Sequence, residues 1–258
     1  MPEGDTIALA AARIRPVLEG VVPDSVATPQ RRHARDRWPA RLEGRKVNAV
    51  RTHGKHLFLD FEGDLTIHSH LRMTGAWSVT QPQAKTRRSR NRAWLIIRAS
   101  GQEVINFDGP VLELMTKSRS RSARHLAQLG PDVLAEQFDS QKFLRRLRED
   151  DPTRGFGDAL LDQQTIAGIG NIWKAETCWG AGIDPWRAIG DIADSEALNA
   201  IELVRPRMMA SAAGHERDIK RGVYARGGRE CTRCGERIKS RGQGDDNRIT
   251  WWCPGCQL

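Results

Sequence analysis

Four of the five cysteines form two Cys-x-x-Cys pairs near the end of the chain. Cys231 and Cys234 are separated by eighteen residues from Cys253 and Cys256. Two such pairs on turns can place four thiolates in a tetrahedron around Zn2+, and a site with four protein ligands has no open position for catalysis. A redox dithiol is the alternative, but it gives no reason for two regularly spaced pairs. The spacing therefore predicts one structural Zn2+.

The residues between the two pairs predict the fold of this segment. The runs ERIKS and RITWW flank the turn-rich GQGDDN. Short runs on both sides of a Gly, Asp and Asn cluster are typical of a β-hairpin. We therefore predict a two-stranded hairpin held by zinc. The remaining cysteine, Cys178, lies in an apolar helical segment and is expected to be buried and unreactive.

The hydrophobic period changes along the rest of the chain. Residues 5–20 carry apolar side chains at helical spacing, whereas residues 45–115 contain short apolar runs separated by Gly, Asp, Asn or Pro. Such runs indicate antiparallel strands of a β-sandwich or barrel. Helical spacing returns at 140–149, 156–163, 172–180 and 194–213. The predicted class is α+β, with a β domain that includes the N-terminal helix (1–120), a helical domain (121–222) and a zinc finger (223–258).

The chain is basic, both overall and in two particular stretches. It has 41 Lys and Arg against 32 Asp and Glu, a net charge of +9 that is typical of a protein binding a polyanion. A basic protein without a nucleic-acid partner is the alternative. We expect residues 84–92 (AKTRRSRNR) to form a mobile, solvated loop, and residues 117–124 (KSRSRSAR) to form a hinge.

Nothing in the sequence indicates a membrane segment. No apolar run approaches the roughly 18 residues of a spanning helix. The first five residues, MPEGD, are acidic, unlike the start of a secretion signal. We expect a monomeric, cytoplasmic protein with no membrane partner.

A glycine-containing corner interrupts the helical region. Gly168 and Gly170 precede Asn171, which we interpret as the N-cap of the next helix. Glycines let a phosphate approach the backbone, and a helix N-terminus favours negative charge. A purely structural corner between two helices is the more common use of such a turn.

Five motifs then occur in one order along the chain. They are Pro2-Glu3-Gly4, HGKHL at 53–57, HSHLRMTG at 68–75, the corner at 168–171 and WCPGCQ at 252–257. In this combination the chain resembles the formamidopyrimidine-DNA glycosylase/endonuclease VIII family over nearly its whole length, and resembles the endonuclease VIII-like branch more closely.

The resemblance implies both a fold and an activity. The fold would be an N-terminal antiparallel β-sandwich, a central helix-two-turn-helix domain and a C-terminal zinc-held β-hairpin, with DNA in the cleft between. The activity would be that of a bifunctional DNA glycosylase/AP lyase of base excision repair. The partner would be damaged DNA, duplex or single-stranded, and the location would be the cytoplasm of a bacterium, at the nucleoid.

The resemblance also implies a catalytic set of Pro2, Glu3 and Lys55. Removal of Met1 would expose the secondary amine of Pro2, whose pKa as an α-amino group is about 7.7 to 8.0. This amine can attack C1′ of the damaged nucleotide, expel the base and form an iminium ion that drives β,δ-elimination. Glu3 would act as general acid/base at the deoxyribose ring oxygen. Lys55 would hold a phosphate beside the lesion.

Five further residues are implied to bind DNA. His70 would lie near the DNA backbone, Met73 would be an apolar wedge, and Arg72 would be a polar contact beside it. Asn171 and Arg248 would hold the kinked phosphates, one from the helical corner and one from the zinc hairpin.

The chain departs from the family pattern at two places. The family's further carboxylate is replaced by Thr6, with Asp5 beside it. Residues 108–114 (DGPVLEL) lack the arginine and phenylalanine with which purine-preferring members read the opposite strand. We therefore expect oxidised pyrimidines to be favoured over 8-oxoguanine. The competing hypothesis is a non-catalytic nucleic-acid-binding protein, which has no need for Pro2, Glu3 and Lys55 together.

Overall fold

A computed structural model of the chain describes residues 2–30 and 36–258. The chain divides into two compact units. The first contains Pro2 and Thr6–Ala127, and the second contains Glu3–Asp5 and Gln128–Leu258. The α+β class is confirmed, while the division into three domains with boundaries at 120 and 222 stays a prediction.

Helix α1 (Gly4–Leu18) begins almost at the N-terminus. Ile7, Ala11, Ile14 and Leu18 follow one another at intervals of three or four residues and are all buried in the core of the first unit. This stripe explains why the segment is helical, because burying one apolar face stabilises a helix more than residue propensity does. The predicted N-terminal helix is confirmed.

Eight strands of the first unit form two four-stranded antiparallel sheets. The strands are β1 (Ser25–Ala27), β2 (Val47–His53), β3 (His56–Phe61), β4 (Leu65–His70), β5 (Ala76–Thr80), β6 (Ala93–Ala99), β7 (Gln102–Phe107) and β8 (Val111–Thr116). One sheet has the order β1-β6-β7-β5 and the other β2-β3-β4-β8, and both contribute to one hydrophobic core. The predicted antiparallel β-sandwich is confirmed.

Three further segments of the first unit lie at, between or after these strands. The segment 108–114 is largely strand β8, so the connection after β7 has only three residues. A short helix, α2 (Trp38–Leu42), precedes β2. The stretch expected to be a hinge forms two short helices, α3 (Lys117–Ser122) and α4 (Arg124–Ala127). Arginines of the loop at 84–92 form ion pairs, while its mobility stays a prediction. Arg88 and Arg92 contact Asp108, and Arg90 contacts the buried Glu103.

The second unit contains the predicted helices. They are α5 (Ser140–Arg148), α6 (Phe156–Ala159), α7 (Asn171–Ala181) and α8 (Asp194–Ala210), and their apolar faces form a separate core. The hairpin strands β9 (Lys239–Gln243) and β10 (Arg248–Trp252) follow and pair from Arg248 opposite Gln243 to Trp252 opposite Lys239. Within the described ranges, no helix is long and apolar enough to cross a bilayer.

Candidate active site and metal centre

Pro2 lines a cavity of about 580 Å³ in the first unit. The walls include Leu71, Gly75 and Phe107, and arginine side chains such as Arg88 also line it. Pro2 therefore lies beside a cavity with apolar walls and cationic groups. Such a cavity can accept a sugar or base while its charge attracts the attached phosphates.

Four predicted DNA-contacting residues lie at one end of the sheet β2-β3-β4-β8. Lys55 occupies the turn between β2 and β3, and His70 ends β4 opposite His56. Arg72 and Met73 follow in the next turn, where Met73 is 64% exposed. Arg72 has a φ of 44°, and its amide donates to Nδ1 of His70 at 3.1 Å. That bond leaves the proton of a neutral His70 on Nε2, as a donor.

Beneath this sheet end lies a histidine cluster that the sequence analysis did not identify. The Nδ1 atom of His56 lies 2.8 Å from Nε2 of His68, whose Nδ1 lies 3.5 Å from a carboxylate oxygen of Glu113. The rings of His56 and His68 stack at 5.1 Å, and His56 also contacts His70 at 4.7 Å. The spacing of His68 and His70 could have indicated this cluster in the sequence, because residues two apart share a face of a strand.

Burial and neighbouring positive charges keep these histidines neutral. Burial lowers the pKa of His56 to about 2, assisted by the surrounding histidines. Burial, with Lys55 and Arg72 nearby, lowers the pKa of His70 to about 4. His70 is therefore a neutral N–H donor at physiological pH, and the positive charge at this sheet end comes from Lys55 and Arg72.

These lowered pKa values predict that the fold loses stability in mild acid. Below pH 6.5 the unfolded chain protonates His56 and His70 while the folded chain does not, so stability is present above that pH and falls as the pH decreases. The loss between pH 6.5 and 5.5 should be about 1 kcal/mol for each of the two. Urea unfolding at both pH values measures it.

The matched variants for this measurement are His56→Phe and His215→Gln. His56→Phe keeps an aromatic ring but removes one titrating group, and should reduce the acid effect by the share of that group, about 1 kcal/mol. His215 has a side chain 67% exposed, so His215→Gln should leave the acid effect unchanged. An unfolding free energy that stays constant from pH 6.5 to 5.5 would contradict the interpretation.

Glu3 in the second unit is 1% exposed, and its carboxylate binds the start of helix α7. It accepts hydrogen bonds from the amides of Gly170 at 3.0 Å, Ile172 at 2.8 Å and Trp173 at 3.2 Å. The predicted anion site at this helix N-terminus therefore holds a carboxylate of the chain itself. The N-cap is Gly170 and Asn171 is the first helical residue, so the N-cap assigned to Asn171 was wrong.

Asn171 and its helix hold the hairpin in place. The Asn171 amide donates from Nδ2 to the carbonyl of Ile249 at 2.9 Å, and its Oδ1 is buried without a partner among the described residues. One turn later, the fully buried Lys174 donates to the hydroxyl of Thr250. Burial lowers the pKa of Lys174 to about 8. Lys174 was missed because a lysine in an apolar run is usually solvent-exposed.

Arg248 begins strand β10 beside the hairpin turn. Its side chain is 43% exposed and forms a loose ion pair with Asp246 at 3.3 Å. A surface pair of this kind contributes little to stability, so the guanidinium can exchange Asp246 for another anion.

The four cysteines of the two pairs converge as the spacing predicts. The sulfur atoms of Cys231, Cys234, Cys253 and Cys256 all lie within 4.8 Å of one another. That separation fits four thiolates around one ion with metal–sulfur distances near 2.3 Å. The cluster can therefore hold a metal ion. Cys178 lies apart, fully buried, and burial raises its pKa to about 12, as expected for an unreactive thiol.

Two family models match most of the chain. The formamidopyrimidine-DNA glycosylase N-terminal domain matches residues 1–110, and the formamidopyrimidine-DNA glycosylase H2TH domain matches residues 129–217. Among solved structures, the formamidopyrimidine-DNA glycosylase of Lactococcus lactis bound to DNA with an AP site has a TM-score of 0.84 and 22% identity over the whole of both chains. At that identity the likeness shows the fold.

Other relatives are more similar to this chain in sequence. A probable endonuclease 8 2 of Streptomyces coelicolor is 36% identical over all of this chain and 94% of its own length. The DNA-(apurinic or apyrimidinic site) lyase Nei2 of Mycolicibacterium smegmatis is 34% identical over all of this chain and 99% of its own length. With both domain models matched, the chain belongs to the formamidopyrimidine-DNA glycosylase/endonuclease VIII family.

Proposed function

We propose that this protein is a bifunctional DNA glycosylase/AP lyase that excises oxidised bases from DNA. The observation that carries the proposal is Pro2, which lines a cavity and directly precedes a buried carboxylate. The names of the relatives, endonuclease 8 2 and AP-site lyase Nei2, support this reaction class. A non-catalytic DNA-binding protein has no need for a proline at position 2 that lines a cavity and precedes a buried carboxylate.

In the proposed mechanism, Pro2 and Glu3 act in sequence. After Met1 is removed, the neutral Pro2 amine attacks C1′, and the C1′–base bond breaks with its electron pair leaving on the base, which takes a proton from water. The N–H proton of the new ammonium passes to the Glu3 carboxylate, which delivers it to the deoxyribose ring oxygen; the bond between C1′ and that oxygen then breaks, and the nitrogen lone pair forms the Pro2 iminium. The three amides that donate to Glu3 fix the position of its carboxylate.

The remaining predicted residues are proposed to hold the DNA. Lys55 and His70 bind a phosphate beside the lesion, one as a cation and the other as a neutral donor. Met73 inserts into the space left by the flipped nucleotide, with Arg72 beside it. From the second unit, Asn171 and Arg248 bind phosphates.

The four cysteines are proposed to bind Zn2+. A set of four thiolates, the ligands found at this cluster among the described residues, favours zinc in a structural role. In that role the ion keeps β9 and β10 in register and so holds Arg248.

The proposed substrate is an oxidised pyrimidine, with weak dependence on the opposite base. The connection after β7 is only residues 108–110, too short to carry side chains across to the opposite strand. We therefore expect 5-hydroxyuracil to be cleaved faster than 8-oxoguanine, at similar rates opposite all four bases. Single-stranded or bubble DNA should be cleaved at least as fast as duplex. Single-turnover cleavage of both lesions in each context measures this.

The control is an abasic oligonucleotide, because its cleavage needs the lyase step but no base recognition. A strong preference for 8-oxoguanine paired with cytosine would contradict the pyrimidine assignment while leaving the lyase activity intact. Failure to cleave the abasic strand would instead overturn the proposed reaction class.

A further inference from the structure

Arg241, on strand β9, is stacked against two tryptophan rings. Its guanidinium carbon lies 4.0 Å from the ring centroid of Trp186 and 5.4 Å from that of Trp252. The two indole rings contact each other edge to face at 4.6 Å. Stacking of this kind restricts the position of the flat guanidinium while leaving the N–H groups on its edge pointing outward.

The charge of Arg241 has no acidic partner in the described part of the chain. Several other arginines of the second unit have carboxylate partners, such as Glu196 for Arg187 and Glu176 for Arg207. Arg241 is exposed, and the described residues provide no hydrogen-bond acceptor for its side chain. A guanidinium held in one orientation with its donors unused is prepared for an external anion.

The strand register places Arg241 on the same hairpin face as Arg248. Gln243 is the cross-strand partner of Arg248, and Arg241 lies two residues before Gln243 on the same strand. Residues two apart share a face and are about 7 Å apart along the strand. The Nε2 atom of Gln243 donates to the carbonyl of Pro185 at 2.6 Å, which fixes this part of the hairpin beside Trp186.

We infer that Arg241 is a second phosphate-binding residue of the zinc hairpin, contacting a DNA phosphodiester beyond the one assigned to Arg248. The inference rests on the proposed function, since it requires that DNA lies along the hairpin. A planar guanidinium suits a phosphodiester because two of its N–H groups can bind two oxygens of one phosphate. The contact would add affinity without sequence preference.

The test is DNA binding as a function of salt concentration for the full chain and the variants Arg241→Met and Arg241→Lys. The probe is a fluorescent duplex with a tetrahydrofuran residue, which the lyase cannot cleave. Arg241→Met should lower the slope of log affinity against log salt by about 0.9, the value for one lost phosphate contact. Arg241→Lys should keep the slope. Arg237→Met, another exposed arginine of the same segment, is the control and should also keep it.

A second measurement separates phosphate binding from a purely structural role. If Arg241 serves only to hold Trp186 and Trp252 together, Arg241→Met should lower the melting temperature and leave the salt slope unchanged. That result would overturn the inference. A wild-type chain that does not bind the duplex would instead indicate failure of the proposed function.

Discussion

Blocking the amine of Pro2 should abolish covalent trapping of this protein on abasic DNA. Borohydride reduces an iminium to a stable amine, so a trapped adduct forms only if a protein amine has joined C1′. A peptide fused ahead of Pro2, or a retained Met1, converts this amine to an amide with no nucleophilic lone pair. On denaturing gels, we expect the amount of trapped protein–DNA adduct to fall to the background level of a sample that contains borohydride-treated DNA without protein.

The control is the same fusion with a protease site that restores a free Pro2. Cleavage should recover the adduct in proportion to the free terminus, which separates blocking of the amine from misfolding. Pro2→Gly provides a second control, since it keeps an N-terminal amine. An undiminished adduct with the terminus blocked would assign the nucleophile to another residue.

Replacing one zinc ligand should remove the metal and the DNA affinity together. In Cys253→Ser the hydroxyl is a far weaker ligand than a thiolate, and the ligand is fully buried. Zinc binding in such sites contributes about 10 to 16 kcal/mol of folding free energy at neutral pH, so losing it should unfold the hairpin that carries Arg248. We expect zinc to fall from one to near zero per chain and the affinity for abasic-site duplex to fall at least tenfold, about 1.4 kcal/mol.

Cys178→Ser is the matched control. It makes the same replacement of sulfur by oxygen at a buried site outside the cluster. This variant should lower overall stability while leaving the zinc content unchanged. Metal analysis together with titration of the DNA distinguishes the two variants. A Cys253→Ser protein that has lost zinc and still binds DNA as before would show that the hairpin is not part of the DNA site.

Sequence reasoning identified the elements whose signals are local. The strand β3 and the final strand β10 follow from short runs bounded by turns, and the cysteine cluster follows from its spacing. Contacts between distant residues were not predictable in the same way. Glu3 meets Gly170 across 167 positions, and Lys174 meets Thr250 across 76. Hydrophobic periodicity carries no information about which polar groups meet across such separations.

The wrong N-cap assignment has the same origin. Asn171 has a side chain that often caps helices, and local preference favours it. The amides at the start of α7 instead donate hydrogen bonds to Glu3, which lies close to the N-terminus and far from this helix in the sequence. With that carboxylate present the cap position needs no side-chain oxygen, so a glycine can occupy it.

The contact between Glu3 and this corner also limits how the chain can evolve. A Cβ atom at Gly170 would lie 2.4 Å from Cδ of Glu3, and one at Gly4 would lie 2.9 Å from Cα of Gly168. A methyl group at either glycine therefore forces the N-terminal segment away from the helix. Substitutions at this corner and substitutions in the N-terminal segment are therefore coupled. Functional homologues should either carry changes at both places or keep both unchanged.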